Sequence, residues 1–572
     1  MKSYLPFVLA FAALLCTFSC TPKPFQEGAD LIFKNGQIYT VDPDRRSVQA
    51  MALIQGRIVA LGSDSSLNAF ITEGTEVIDL GGKLVLPGFF DSHAHPVSAT
   101  KQLYEANLYN LHGITEIQAA LKAFRADHPE AKLIKGRGWS NADFPKRGPD
   151  KKDIDAVIDD IPVSLSDEGG HAKWVNSKTL ELAGIDEMTI DPAGGVVERY
   201  EASREPSGAL REDAAGLVAD LFPYYGFEEL KKGLLAYQEM ALAFGMTAAH
   251  DAYLDVGIDE VPAYRSLEKE NLLKMRFRAG LYVDPDQDME QIQALIDERD
   301  ADEGQLFRIN SAKIFIDGVV EGSTGYLNES YDHLPDSKGK LLWDVERLNR
   351  VSAQLDQENF QIHVHAIGDG ATRVMLDALE YVQSQNGIRD SRHAITHLQL
   401  VSPKDILRFH DLGVVALPQP YWFKKDSYYY NIQVPYLGLE RADHEYPMAS
   451  FFNAGVKVAS SSDYPVTIPC NPLIAIELGM TRQEIGTRAS SDVLWPEERV
   501  SLAEMIESFT INGAYADFLE AETGSLEVGK SADFILLDRN LFQIPVTEIH
   551  QVQVLATYFQ GKPVFKSVRN AF

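Results

Sequence analysis

Apolar and polar residues alternate in short bursts at both ends of the chain. Leu31-Ile-Phe33, Ile38-Tyr-Thr-Val41, Ser47–Ile54, Arg57–Leu61 and Glu76–Leu80 are punctuated by Asn35-Gly36, Gln55-Gly56 and Gly81-Gly82. Such runs between turn residues predict strands. The style returns after Gly524, in Phe534–Asp538, Val552–Phe559 and Val564-Phe565. Two strand-rich ends around a long middle predict one small β-sandwich, assembled from residues 29–86 and 521–572, with the chain ends close together.

The middle has a different rhythm. Apolar runs alternate with helical spacing, as in Ala371–Gln383 and Pro403–Leu412, which is the pattern of a parallel β/α fold. Candidate strands are Leu86–His95, Met246–Asp251, Arg276–Val283, Ser311–Asp317, Phe360–His365, His393–Leu398, Gly413–Pro418 and Val456–Ser461. These predict an α/β fold, a closed (β/α)8 TIM-like barrel over residues 87–520. The interval of about 97–244 is too long for one βα loop and has strands of its own, Lys132–Gly136 and Val163–Ser166. It reads as an insertion after strand one.

At the N-terminus, Lys2 precedes the apolar run Leu5–Phe18, which is short for a membrane span. Thr17-Phe-Ser-Cys20 then resembles a bacterial lipoprotein cleavage site. This predicts a signal peptide over 1–19, a lipid on Cys20 and a tether over 20–28. The protein would then sit on a membrane of the cell envelope, periplasmic or surface-facing. An ordinary signal peptide with an incidental cysteine is the alternative. Once Cys16 is removed and Cys20 lipidated, only Cys470 remains, so no intrachain disulfide is expected. Cys470 reads as a small packed residue rather than a nucleophile. A formal net charge of −30 argues against a nucleic-acid partner, whose phosphates it would repel. A homodimer is left open.

Barrel enzymes gather their chemistry where strands end. The first candidate strand ends in Asp91-Ser-His-Ala-His95, and side chains two apart on a strand share a face. The fourth carries Lys313 among apolar residues, and the fifth ends in His363-Val-His365. The sixth holds His397, and the eighth runs through Ser460-Ser-Ser-Asp463. Singly, each has a structural explanation, such as a helix cap at Asp463 or a snorkelling Lys313. Together they point to a metal site.

These motifs resemble the amidohydrolase superfamily, in particular the amidohydrolase 3 branch that includes N-substituted formamide deformylases. The resemblance rests on LPGFFDSHAH, GRGWS, EGGHAKWVNSKTL, SAKIFIDG, HVHAIGDGA, ITHLQL, PQP, SSDYPV and GSLEVGKSADFILLD. It implies metal ligands at His93, His95, Lys313, His365, His397 and Asp463. It further implies one or two divalent ions, zinc first among the candidates, and N6-carboxylation of Lys313 to a bridging carbamate. Asp463 would be the catalytic proton carrier in hydrolysis of a non-peptide C–N bond, in an amide, N-formyl or cyclic amide, by metal-activated hydroxide.

Other residues are secondary. His171 is a candidate for substrate binding or a structural role, and Trp139 for a pocket wall in substrate binding or for core packing. His363 is a candidate for support behind the ligands, His250-Asp251 for such support or a structural role, and the aromatics of Tyr421–Tyr430 for a lid or for loop packing. A dipeptidase or a deaminase is the alternative on the same scaffold. His365-Ala-Ile-Gly-Asp369 lacks the glutamate that deaminases of the superfamily place near this histidine. From another class, a lipid-anchored binding protein without catalysis would keep the barrel and lose turnover.

Overall fold

The computed structural model describes residues 28–567, apart from 110, 146, 168–171, 193–194, 302–303 and 488–491. The expected signal peptide, Cys16, Cys20 and most of the tether lie outside these residues.

Seven parallel strands form the central sheet in sequential order. They are β1 (Phe89–Ala94), β2 (Met246–Leu254), β3 (Arg276–Tyr282), β4 (Phe307–Phe315), β5 (Gln361–Ala366), β6 (Ala394–His397) and β7 (Val415–Leu417). Their near-continuous burial is that of a sheet covered on both faces. The eighth expected strand is not a regular one. Residues 457–463 occupy its place as an extended segment bridging both edges. Ala416 donates to the Lys457 carbonyl and Ala459 to that of Ala416, each at 2.9 Å. On the other side Ser92 donates to the Ser460 carbonyl at 3.3 Å, and Asp463 to that of His93 at 2.8 Å. The barrel therefore closes on backbone hydrogen bonds from a segment too irregular to count as a strand.

The expected first strand, Leu86–His95, splits in two. Leu84–Pro87 pairs antiparallel with Phe534–Leu537, whereas β1 pairs with β2. Gly88 makes the switch, because a Cβ there would meet the Thr247 side chain at 2.2 Å. The terminal strands form two sheets. One is ordered Arg57–Gly62, Ala50–Ile54, Leu31–Lys34, Glu76–Asp79; the other runs Lys562–Lys566, Val554–Phe559, Phe534–Leu537, Leu84–Pro87, Gln37–Tyr39, Ser47–Val48. Phe33, Met51, Leu53 and Ile58 of the first pack on Ile38, Val85, Phe534 and Tyr558 of the second. A fully buried ion pair joins this sandwich to the barrel floor, from Arg276 to Asp533 at 2.5 Å.

Between β1 and β2 the chain builds a separate six-stranded sheet, ordered Gly195–Arg199, Pro206–Glu212, Ala172–Val175, Val163–Asp167, Ile134–Trp139, Glu105–Asn107. It has its own apolar core around Trp139, Leu165 and Trp174. Among the described residues, no helix is long and apolar enough to cross a membrane.

Candidate metal centre

Pleating decides which side chains reach the barrel mouth. Lys313 and His363 are register partners across β4 and β5, and Phe315 and His365 follow two residues on. All four face the interior. His397 ends β6, while Asp463 ends the closing segment opposite His93. Both take left-handed backbone, with φ of 72° and 57°. Non-glycine residues hold this region at a cost of about 1–3 kcal/mol, usually where a side chain must be aimed.

His93 Nε2 and His95 Nε2 lie 3.5 and 3.2 Å from Asp463 Oδ1. The three residues each offer one ligand atom within 4.8 Å of the others, a group that could hold a metal ion. Lys313 Nζ lies 3.4 Å from His93 Nε2. His365 and His397 line the same cavity of about 470 Å³, with ring centroids 4.5 Å apart. All six residues expected as ligands thus meet at one mouth. The tight three-residue group is the two histidines of strand one with Asp463.

The electrostatics suit a cation. Burial holds His93 and His397 well below the usual histidine range, with Lys313 and His365 respectively adding to the effect. Burial also lowers His365 to about 3. Neutral imidazoles are the ligating form. Lys313 is fully buried, and desolvation draws it down to about 7 against the opposing attraction of Asp463. Burial therefore favours the neutral amine of Lys313 over its ammonium. His93, His95 and Asp463, two imidazoles and a carboxylate, make a donor set that fits a divalent ion.

Supporting residues fix this set. Asp91 accepts from the backbone N–H of Ser462 at 2.8 Å and from its hydroxyl, tying β1 to the closing segment. Burial raises Asp91 to about 7. Gln419 donates through Nε2 to Thr396 Oγ1, the Leu417 carbonyl and Ser461 Oγ, at 3.0, 3.1 and 2.8 Å. Its Oε1 is left to accept from His397 Nδ1 at 3.2 Å, which frees Nε2 of that ring. Gln419 lies in the Pro418-Gln-Pro420 motif just past β7, so its strand-end position was the available signal for its role. Asp317 accepts from the N–H groups of Tyr326, Ile367 and Gly368, which shapes the loops after β4 and β5.

The walls are apolar and aromatic: Phe315, Val319, Ile367, Trp422, Tyr446 and Val466. Trp422 stacks on His397 at 5.8 Å, and Tyr428 reaches over to Glu321. The aromatic segment after β7 therefore divides its labour. Trp422 and Tyr428 line the cavity, while Tyr421 and Tyr429 are buried in packing.

Trp139 does not line this cavity, which corrects its expected part in substrate binding. It is fully buried in the insertion, edge-on to Phe144 and Trp174, and its indole N–H is bound to the Leu165 carbonyl. Packing there outweighs exposure because the small sheet needs its own core. His171 lies outside the described residues. His250 is bonded to Asp517 and Ser311 behind the ligands, and Asp251 accepts from the Tyr264 hydroxyl. Cys470 is buried, and burial raises its thiol well above the usual range, so it is no nucleophile.

A parallel barrel with this donor set at its C-terminal mouth defines the class of metal-dependent hydrolases. The profile of the amidohydrolase family matches residues 76–565, and the chain belongs to that family. It is 32% identical over 546 residues to Protein LONG AFTER FAR-RED 3 of Arabidopsis thaliana, covering 94% of this chain and 92% of the relative. It is also 26% identical over 546 residues to N-substituted formamide deformylase of Arthrobacter pascens, covering 93% and 97%. An uncharacterized metal-dependent hydrolase from Pyrococcus furiosus has a solved structure that superposes with a TM-score of 0.71 at 27% identity. That match covers 89% of this chain and 99% of the other.

Proposed function

We propose that the protein hydrolyses a non-peptide C–N bond in a small amide bearing an apolar or aromatic substituent. The supporting observation is the convergence of His93, His95 and Asp463 within 4.8 Å at the foot of an apolar-walled cavity. His93, His95 and Asp463 would hold one ion, preferably zinc, with carboxylated Lys313, His365 and His397 completing a site for a second. When bound, a divalent ion supplies Lewis acidity, which lowers the pKa of water and polarises the scissile carbonyl.

The remaining work falls to the chain. Trp422, Phe315 and Tyr446 take the apolar substituent, excluding water and orienting the amide. Asp463 lines the cavity beside both histidines and carries the proton from the attacking water to the leaving nitrogen. Asp369, the first acidic residue after His365, is engaged by the backbone and side-chain amides of Asn328 at 2.9 and 2.6 Å. It is poorly placed to be a deaminase proton shuttle.

The test is turnover by the zinc-loaded protein of a panel of N-substituted formamides, N-acyl amines, cyclic amides and dipeptides. The expected result is hydrolysis of an apolar amide that chelation abolishes and zinc restores. Turnover confined to dipeptides, or unaffected by chelation, would refute the reading.

We further propose lipid attachment at Cys20 and a place in the cell envelope, supported by the Thr17-Phe-Ser-Cys20 motif after an apolar run. Cys20→Ser should move the protein from the membrane to the soluble fraction. Retention on the membrane would count against the anchor.

A further inference from the structure

Behind the cavity lies a second rank of histidines that the proposed reaction leaves unused. His363 is fully buried on β5, two residues before His365 and on the same face. Its Nε2 lies 2.6 Å from Nδ1 of His93, with the ring centres 4.8 Å apart and the ring planes inclined at 29°, so the rings meet edge to edge. His250 stacks on it at 4.5 Å and 18°. His250 is itself held by Asp517 Oδ1 at 2.7 Å and Ser311 Oγ at 3.0 Å. Nδ1 of His363 has no hydrogen-bond partner among the described residues.

Proton arithmetic gives this contact a direction. A neutral imidazole carries one N–H, and two ring nitrogens 2.6 Å apart share one proton between them. His93 turns Nε2 toward Asp463 and Lys313, so a ligating His93 has a bare Nε2 and its hydrogen on Nδ1. His363 must then accept through Nε2 and keep its own hydrogen on Nδ1. Resting on the metal-site reading above, we infer that His363 is a positioning residue. By accepting the Nδ1–H of His93, it fixes the tautomer and ring plane that present His93 Nε2 to a divalent ion.

A metal-bound histidine commonly hands its other N–H to a carboxylate, a backbone carbonyl or water. Here the acceptor is a neutral ring, which offers a lone pair without adding a charge to a fully desolvated position. The stack on the tethered His250 holds that ring in place.

Zinc affinity tests the assignment, measured by competition with a chromogenic chelator on the purified full chain, its H363L variant and its H363Q variant. Glutamine puts an amide oxygen near the position of Nε2 and can accept; leucine cannot. Affinity should fall about 10–100-fold in H363L and stay within about threefold of the parent in H363Q. Equal affinity in H363L and the parent would overturn the positioning role and leave the metal site standing. A parent chain that takes up no stoichiometric zinc would overturn the site itself. Nitrogen-15 spectra of the zinc-loaded parent chain, with labelled histidine, do not depend on the folding of any variant. The expected finding is an Nδ1–H tautomer at both His93 and His363, and an Nε2–H tautomer at His363 would refute the inference.

Discussion

The backbone N–H of Asp463 donates to the carbonyl of His93 at 2.8 Å, while the two side chains face one another, Nε2 to Oδ1, at 3.5 Å. The bond that closes the barrel and the contact that builds the metal centre therefore join the same two residues. Asp463→Asn keeps the shape and the backbone bond but cannot carry a proton. Its turnover should fall by about 10²–10⁴-fold, with zinc still bound. Unchanged kcat in a metal-replete variant would remove Asp463 from the proton path.

Lys313 sets a pH dependence. Its ordinary value of 10.5 applies to the unfolded chain, and burial brings it to about 7 in the fold. Between these values the folded state binds fewer protons, so the stability of metal-free protein rises with pH across that window. Below about pH 7 the full cost of a buried ammonium is incurred. Urea unfolding should show a gain on the order of a few kcal/mol between about pH 7 and 10. Lys313→Met should lack it, and parallel profiles for the two proteins would show that the lysine keeps an ordinary pKa.

Trp422 bears on substrate choice. It walls the cavity, stacks on His397 and anchors its indole N–H to Thr467 Oγ1 at 3.0 Å. Trp422→Ala should weaken capture of apolar amides by about 1–3 kcal/mol, roughly 10–200-fold in kcat/KM. The effect should be smaller for an amide with a methyl substituent. An equal loss for both substrates would point to damage at His397 instead.

The union of sandwich and barrel depends on Asp533. It takes Arg276 at 2.5 Å, Thr523 at 2.8 Å, Ser531 at 2.9 Å and the Gln560 N–H at 2.7 Å. Asp533→Ala leaves a buried guanidinium without its main partner and should destabilise by about 3–5 kcal/mol. Chemical denaturation reads this directly. A change below about 1 kcal/mol would mean that Glu522, 2.9 Å from Arg276, suffices.

Strand-end chemistry is the most legible part of the sequence because period two is a local rule. His93 with His95, and His363 with His365, had to share faces once their strands were recognised. What local rules miss is set by partners distant in sequence. Leu86–His95 looks continuous, yet Pro87 and Gly88 hand the chain from Phe534–Leu537 to β2. That division is made by the Thr247 side chain and by the Asp533 carbonyl, which accepts from the Gly88 N–H at 3.0 Å. Beside Gly138, Trp139 suits a pocket wall as well as a core, and only its contacts with Phe144 and Trp174 decide for the core. Gln419 is an ordinary amide in the sequence, and only the positions of Thr396, Leu417 and Ser461 decide which end of it meets His397.

The irregular closing segment at 457–463 has a consequence for how the molecule fails. Seven staves of the cask are regular and its seam is not, yet the seam carries Asp463, the carboxylate on which the proposed hydrolysis depends. Modest heating or mild denaturant should silence such a catalyst while most of its ordered backbone survives.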